Sequence, residues 1–224
     1  MARKRIREAH GPIPVLFFNG SLGDVAMRQQ EHTQMTPANP ESDIIRLGSI
    51  LAGETLRLIH EMEPEEDVSL RHSRKEVDLP VRLPDPETVE KGRAVLDRMD
   101  DGEDISGMDA IFAWGPVSLV EQFGNDPVDR LPYHALRIGS LAVATHPFEL
   151  FCQYQVDLKR RSPASSTAVF GLTDGYGGYL PTLAGSLGGG YSGVPFAWAR
   201  FEPEVGCHFV DHAAGMLHEL WSKG

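Results

Sequence analysis

His146 and Glu149 stand three residues apart in the run Leu141-Ala-Val-Ala-Thr145-His146-Pro147-Phe148-Glu149-Leu150-Phe151. A neutral imidazole and a carboxylate are the nitrogen and oxygen donors that zinc takes. The run reads as a buried strand passing into a helix over Phe148 to Arg160, with Pro147 at its first turn. Ligand sites of open α/β sheets lie at such carboxyl ends of strands. The same spacing suits a plainer role, in which Glu149 complements the helix macrodipole and His146 closes the turn. A second strand end follows. Ala168 to Leu172 runs into Thr173-Asp174-Gly175-Tyr176-Gly177-Gly178-Tyr179-Leu180-Pro181-Thr182, which sets two tyrosines three apart among glycines. Glycine lets a backbone approach a ligand closely, and it equally makes a tight turn on which tyrosines simply pack.

Other chemistry-bearing types are less well arranged. Gly185 to Tyr191 is glycine-rich but lacks the Gly-Lys-Ser/Thr end of a phosphate loop, so nucleotide binding is rejected. His208 and His212 lie one helical turn apart with Asp211 between them, not in a His-Glu-x-x-His arrangement. His60 and His72 merely flank an acidic stretch. Cys152 and Cys207 make no metal-type pair and leave the redox compartment open.

The elements that must position these residues follow from periodicity. Ala2 to His10 reads as a helix stopped by Gly11, and Pro14 to Phe18 as a short apolar strand buried on both faces. Asn19 to Asp24 is a tight turn. Glu41 to Met62 is a helix, with Ile44, Leu47, Leu51, Leu56 and Ile59 on one side. Val68 to His72 and Val77 to Leu83 alternate as two strands, and Pro80 pushes the second to an edge. Pro86 to Met99 is a helix, Asp100 to Asp104 a solvated loop, and Met108 to Phe123 a helix despite Gly115-Pro116. Tyr133 to Thr145 reads as one or two strands, Ser166 to Leu172 as another. Pro203 to Trp221 closes as a helix with Phe209, Ala213, Met216, Leu217 and Leu220 on one face. The fold class is α/β, a mixed sheet flanked by helices. A start of helix, strand and turn implies that the first strand's partners lie upstream, making this the incomplete second half of a larger catalytic domain, with 1–224 as a single domain.

Composition excludes whole classes. Lys plus Arg is 21 against Asp plus Glu 32, a net charge of −11, whose field repels nucleic acid. The longest uncharged stretch, Gly175 to Ala199, holds eight glycines and two prolines, so no transmembrane segment is expected. Charged residues follow the basic start where a signal peptide needs an apolar run, so the compartment is open and cytoplasmic by default.

The order of these motifs resembles the second half of the catalytic domain of the neutral (non-lysosomal) ceramidase family. The landmarks are Asn19-Gly20-Ser21-Leu22-Gly23-Asp24-Val25, the helix ending near His60, Pro147-Phe148-Glu149-Leu150-Phe151, Asp174 to Thr182, and Gly190-Tyr191. The likeness runs from about Pro12 to Leu220, with 63–107 an unmatched, insert-like region. It implies a zinc-dependent amidohydrolase that cleaves N-acylsphingosine or another amide. It places the metal's glutamate on Glu149, its tyrosine on Tyr179, and a substrate-side catalytic tyrosine on Tyr191.

Three departures qualify what the resemblance implies. The family's two zinc histidines lie upstream of the Gly-Asp-Val motif, where this chain has only His10, so an incomplete zinc site is expected; His146 is the local imidazole available as a stand-in ligand. The family's serine after Gly-Asp-Val is Ala26. The glycine before the glutamate is Phe148. The partners implied are an amide-containing small molecule or lipid, and a missing N-terminal half or a second copy of the chain. The rival reading is a non-catalytic α/β interaction partner or remnant of such an enzyme, docking through an unpaired sheet edge.

Overall fold

A computed structural model describes residues 1–25 and 40–222. Ala26, where the family's serine would fall, lies outside the described residues. Where the sequence reads as one domain, the chain divides into two compact units, Met1–Phe18 with Ala26–Val68, and Asn19–Val25 with Ser69–Gly224.

The first unit holds α1 (Ala2–His10) and α2 (Pro40–Glu61). Gly11, at φ +81°, ends α1 and returns its N–H to the Arg7 carbonyl. That is the expected glycine stop. Met1 lies against Gly48 and the His10 ring against His60, so α1 covers only that length of α2. Ile6 and Ala52 are buried, whereas Ile44 and Leu51 of the expected apolar face are exposed. Pro14 to Phe18 corrects the strand expected there. It joins neither sheet, and Leu16, Phe17 and Phe18 are 77%, 59% and 55% exposed. An apolar run becomes a buried strand only where a ladder and two covering layers meet it.

The second unit is built on a four-stranded mixed sheet in the order β1-β2-β3-β5. The strands are β1 (Leu70–Pro80), β2 (Val128–Ile138), β3 (Leu141–Thr145) and β5 (Ser166–Phe170). β1/β2 and β2/β3 are antiparallel, and β3/β5 parallel. The two strands expected between Val68 and Leu83 are one strand, in register with β2 along its whole length. It lies at the sheet edge, and Pro80 is its last residue. The stretch 63–107 thus supplies a full strand of the main sheet.

Two helices follow β1 in sequence and pack on each other. They are α3 (Pro86–Asp100), capped by Asp85 through the Thr88 N–H, and α4 (Gly107–Phe123), capped by Ser106. They pack where Gly92 meets the Ala113 carbonyl. α4 runs unbroken through Pro116. The last helix, α7 (Glu204–Ser222), lays Phe209, Ala213, Met216, Leu217 and Leu220 on the sheet, as its periodicity predicts. With Leu79, Tyr133, Phe148 and Phe201 they form the core.

The helix expected from Phe148 starts later. Phe148–Leu150 is a short strand, β4, and α5 runs over Cys152–Arg161. Asp24 accepts the Cys152 N–H at 2.8 Å and caps α5 from the turn near the start of the chain. β4 pairs in parallel with β6 (Gly178–Leu180), ahead of the short α6 (Leu183–Leu187). Gly178 has φ +75°, and a Cβ there would sit 2.4 Å from the Trp198 carbonyl oxygen. Gly178→Ala is therefore expected to cost about 2–4 kcal/mol, from left-handed strain and overpacking together, measured as a fall in urea unfolding free energy.

Candidate functional site

β4 and β6 are three residues each, and their register sets Glu149 opposite Tyr179. Phe148, Leu150 and Leu180 are fully buried. Alternation along a strand therefore turns Glu149 and Tyr179 to the other, open face, side by side. The Tyr179 phenol lies beside the Glu149 carboxylate. The Tyr191 hydroxyl donates to the Tyr179 hydroxyl at 3.3 Å, with the rings edge to face at 5.1 Å. From the other side, the Tyr176 hydroxyl donates to Glu149 Oε1 at 2.9 Å.

Two phenols thus flank one carboxylate, and a third, Tyr191, donates to one of them. Burial first, then the hydrogen bonds with Tyr191 and Glu149, holds the Tyr179 phenol well above its ordinary pKa. Burial and the Glu149 carboxylate push Tyr176 up to about 12. Tyr176 and Tyr179 are therefore neutral donors at physiological pH.

The surrounding chain fixes this cluster. Trp198 accepts the Tyr179 N–H at 2.6 Å on its carbonyl and donates its indole N–H to the Tyr191 carbonyl at 3.1 Å. Gly23 lies against the Glu149 carbonyl, where a Cβ would come within 2.2 Å, and donates its N–H to Leu150 O at 2.9 Å. The Asn19 to Asp24 turn thus braces the backbone of β4 and the start of α5. Arg200, 8% exposed, binds the Asp129 carboxylate through Nε and Nη2 and donates to the Tyr176 carbonyl at 2.6 Å. Asp174, in the left-handed region at φ +56°, accepts from His134 Nε2 at 3.0 Å, and His134 Nδ1 meets His72 Nε2 at 3.0 Å.

Glu149, Tyr179 and Tyr191, singled out in the sequence, are brought together. His146 is not with them. It is fully buried, between the rings of Phe148 and Phe209, and its Nδ1 accepts the Phe148 N–H at 3.2 Å. His146 thus closes the turn, the plainer of its two expected roles. Glu149 stands on a strand and complements no helix end; Asp24 does that work. Sequence reasoning missed Arg200 and Trp198. The available signal was an arginine ending 25 uncharged residues, Gly175 to Ala199.

For a zinc ion the donors at this site are Glu149 and Tyr179. Glu149 Oε1 receives Tyr176, and the Tyr179 oxygen lies beside the same carboxylate. A carboxylate and a phenol oxygen fit such a cation as two of its ligands; catalytic zinc takes three from protein. Among the described residues no three His, Cys, Asp or Glu side chains are grouped to hold a metal.

No family model matches the sequence, and no curated protein matches it. Solved structures do. The neutral ceramidase from Pseudomonas aeruginosa superposes with a TM-score of 0.55 at 16% identity, over 84% of this chain and 35% of that one. A ceramidase complexed with C2 gives 0.54 at 14%, over 81% and 35%. The chain spans about a third of the length of these ceramidases, and it has a ceramidase-like fold.

The buried histidine sets a pH dependence. Burial drives the His146 pKa from 6.5 down to about 3. Below pH 6.5 the unfolded chain binds a proton that the folded chain refuses, so stability falls as pH falls. The expected slope from His146 alone is up to about 1.4 kcal/mol per pH unit between about pH 6 and pH 3. His146→Asn, which still offers an acceptor to the Phe148 N–H, flattens that slope in urea titrations across this range.

Proposed function

We propose that this chain carries part of the active site of a ceramidase-like, zinc-dependent amidohydrolase. Glu149 and Tyr179 hold the metal, and Tyr191 works on the substrate. The observation that carries this reading is the β4–β6 register, which sets a carboxylate and a phenol side by side with a second phenol on hydrogen-bonding terms, within a ceramidase-like fold.

When bound, zinc supplies Lewis acidity toward a carbonyl and water activated near neutral pH. The chain's own residues do the rest. Glu149 gives a carboxylate oxygen. Tyr179, as its phenolate, would give the second donor. Tyr191, half exposed beside Tyr179, is placed to hydrogen-bond the carbonyl oxygen of the scissile amide as charge develops there. Water adds to the carbonyl carbon, the C–N bond breaks, and the proton given up by the water ends on the departing amine. The Trp198 ring lies beside Tyr191 and the exposed Phe112 ring against Trp198, an apolar surface that supports a substrate with an apolar arm such as an N-acyl lipid. The histidines that complete the ligand set in this reading come from an N-terminal half or another chain.

A second reading is a non-catalytic α/β partner, and one observation favours it: the exposed Leu16-Phe17-Phe18 run. Oligomeric state separates the two cheaply. A zinc-free, defined oligomer that turns over no amide supports the partner role.

The test is zinc calorimetry on the purified chain together with hydrolysis of N-acyl amino-alcohols. Weak zinc uptake is expected, lowered at least tenfold by Glu149→Ala and by Tyr179→Phe but still measurable in each. Uptake untouched by both substitutions overturns the site assignment. Stoichiometric tight zinc with full activity overturns the need for further ligands.

A further inference from the structure

We propose that Tyr176 is a positioning residue: by donating to Glu149 Oε1 it fixes the rotation of the carboxylate and leaves the other oxygen as the one that would ligate a cation. This rests on the reading of Glu149 as a metal ligand and adds how that ligand is aimed. A free carboxylate on a strand rotates about its terminal torsion, which is broad, and offers either oxygen or both. The 2.9 Å bond from Tyr176 removes that freedom.

Tyr176 is itself held by the backbone on both sides. Its carbonyl receives Arg200 Nη2 at 2.6 Å, and the Arg200–Asp129 pair is nearly buried. The next residue, Gly177, donates its N–H to the Pro147 carbonyl at 2.7 Å. Two residues earlier, Asp174 keeps a left-handed backbone through His134 and Arg74. Neither backbone hold on Tyr176 uses the phenol oxygen. The hydroxyl can therefore be deleted without loosening its mount. Partners that orient a metal ligand from behind change affinity by about 10–100-fold when removed.

The experiment is a double-mutant cycle on the whole chain, with zinc alone as probe and calorimetry as readout. Tyr176→Phe, Glu149→Gln and the double variant are compared with the parent chain, each checked for an unchanged melting temperature. Tyr176→Phe is expected to weaken zinc about tenfold in the parent background and to change nothing once Glu149 is glutamine. The same loss in both backgrounds assigns Tyr176 a merely structural part and overturns the proposal. No loss from Tyr176→Phe, with Glu149→Gln still weakening zinc, overturns it as well. If Glu149→Gln itself leaves zinc binding intact, the metal-ligand reading fails first and the positioning role goes with it.

Discussion

Everything at this site depends on one short ladder, the parallel pairing of Phe148–Leu150 with Gly178–Leu180. Six residues make it, and their side chains divide by alternation. Phe148, Leu150 and Leu180 go into the core, Gly178 leaves room for the Trp198 backbone, and Glu149 and Tyr179 are left together on the open side. A ladder this short has little stability of its own, since even a two-stranded hairpin is marginal in water. It is kept by what surrounds it: the Asn19 to Asp24 turn on β4, the Trp198 carbonyl on β6, and the core under both.

Alternation also decides what stays out. His146, Phe148 and Leu150 share one parity and are all fully buried. The spacing of three between His146 and Glu149 brings side chains together on a helix and sends them to opposite sides in extended chain. Tyr176 and Tyr179 have the same spacing and do meet on one carboxylate. The difference is Gly178, whose positive φ resets the direction of the chain between them.

These two cases mark how much the sequence discloses. The long periodic elements were legible: α7 with its buried face, α3 to within a residue of its end, and the edge position of Pro80 all follow from local pattern. The meeting of Glu149, Tyr179 and Tyr191 was expected from the order of motifs rather than from spacing. The strand at Phe148 was not legible, because three residues carry no period and Pro147 reads as a helix start. The Pro14 to Phe18 run misled for the opposite reason. Its residues have strand character, but burial is a property of neighbours that local sequence does not contain. Arg200 escaped because its three partners, Asp129, Tyr176 and Ala197, come from distant parts of the chain or offer only backbone.

Arg200 also explains how a strained loop persists beside the cluster. Leu172 and Asp174 both lie at positive φ, a cost of order 1–3 kcal/mol each for residues with side chains. Such strain survives only where surrounding contacts outweigh it. Here the contacts are charge-assisted: a buried arginine bridging Asp129 to the Tyr176 carbonyl, and the half-exposed Asp174 bound to His134, whose hydrogen bond holds the carboxyl below its ordinary pKa. Breaking a buried pair by removing one partner leaves an uncompensated charge in the core, so the loop has no cheap relaxed alternative. The result is a rigid mount for the Tyr176 phenol. The fold therefore concentrates its backbone strain in the segment that aims a hydroxyl at Glu149: among the described residues no other non-glycine residue takes a positive φ.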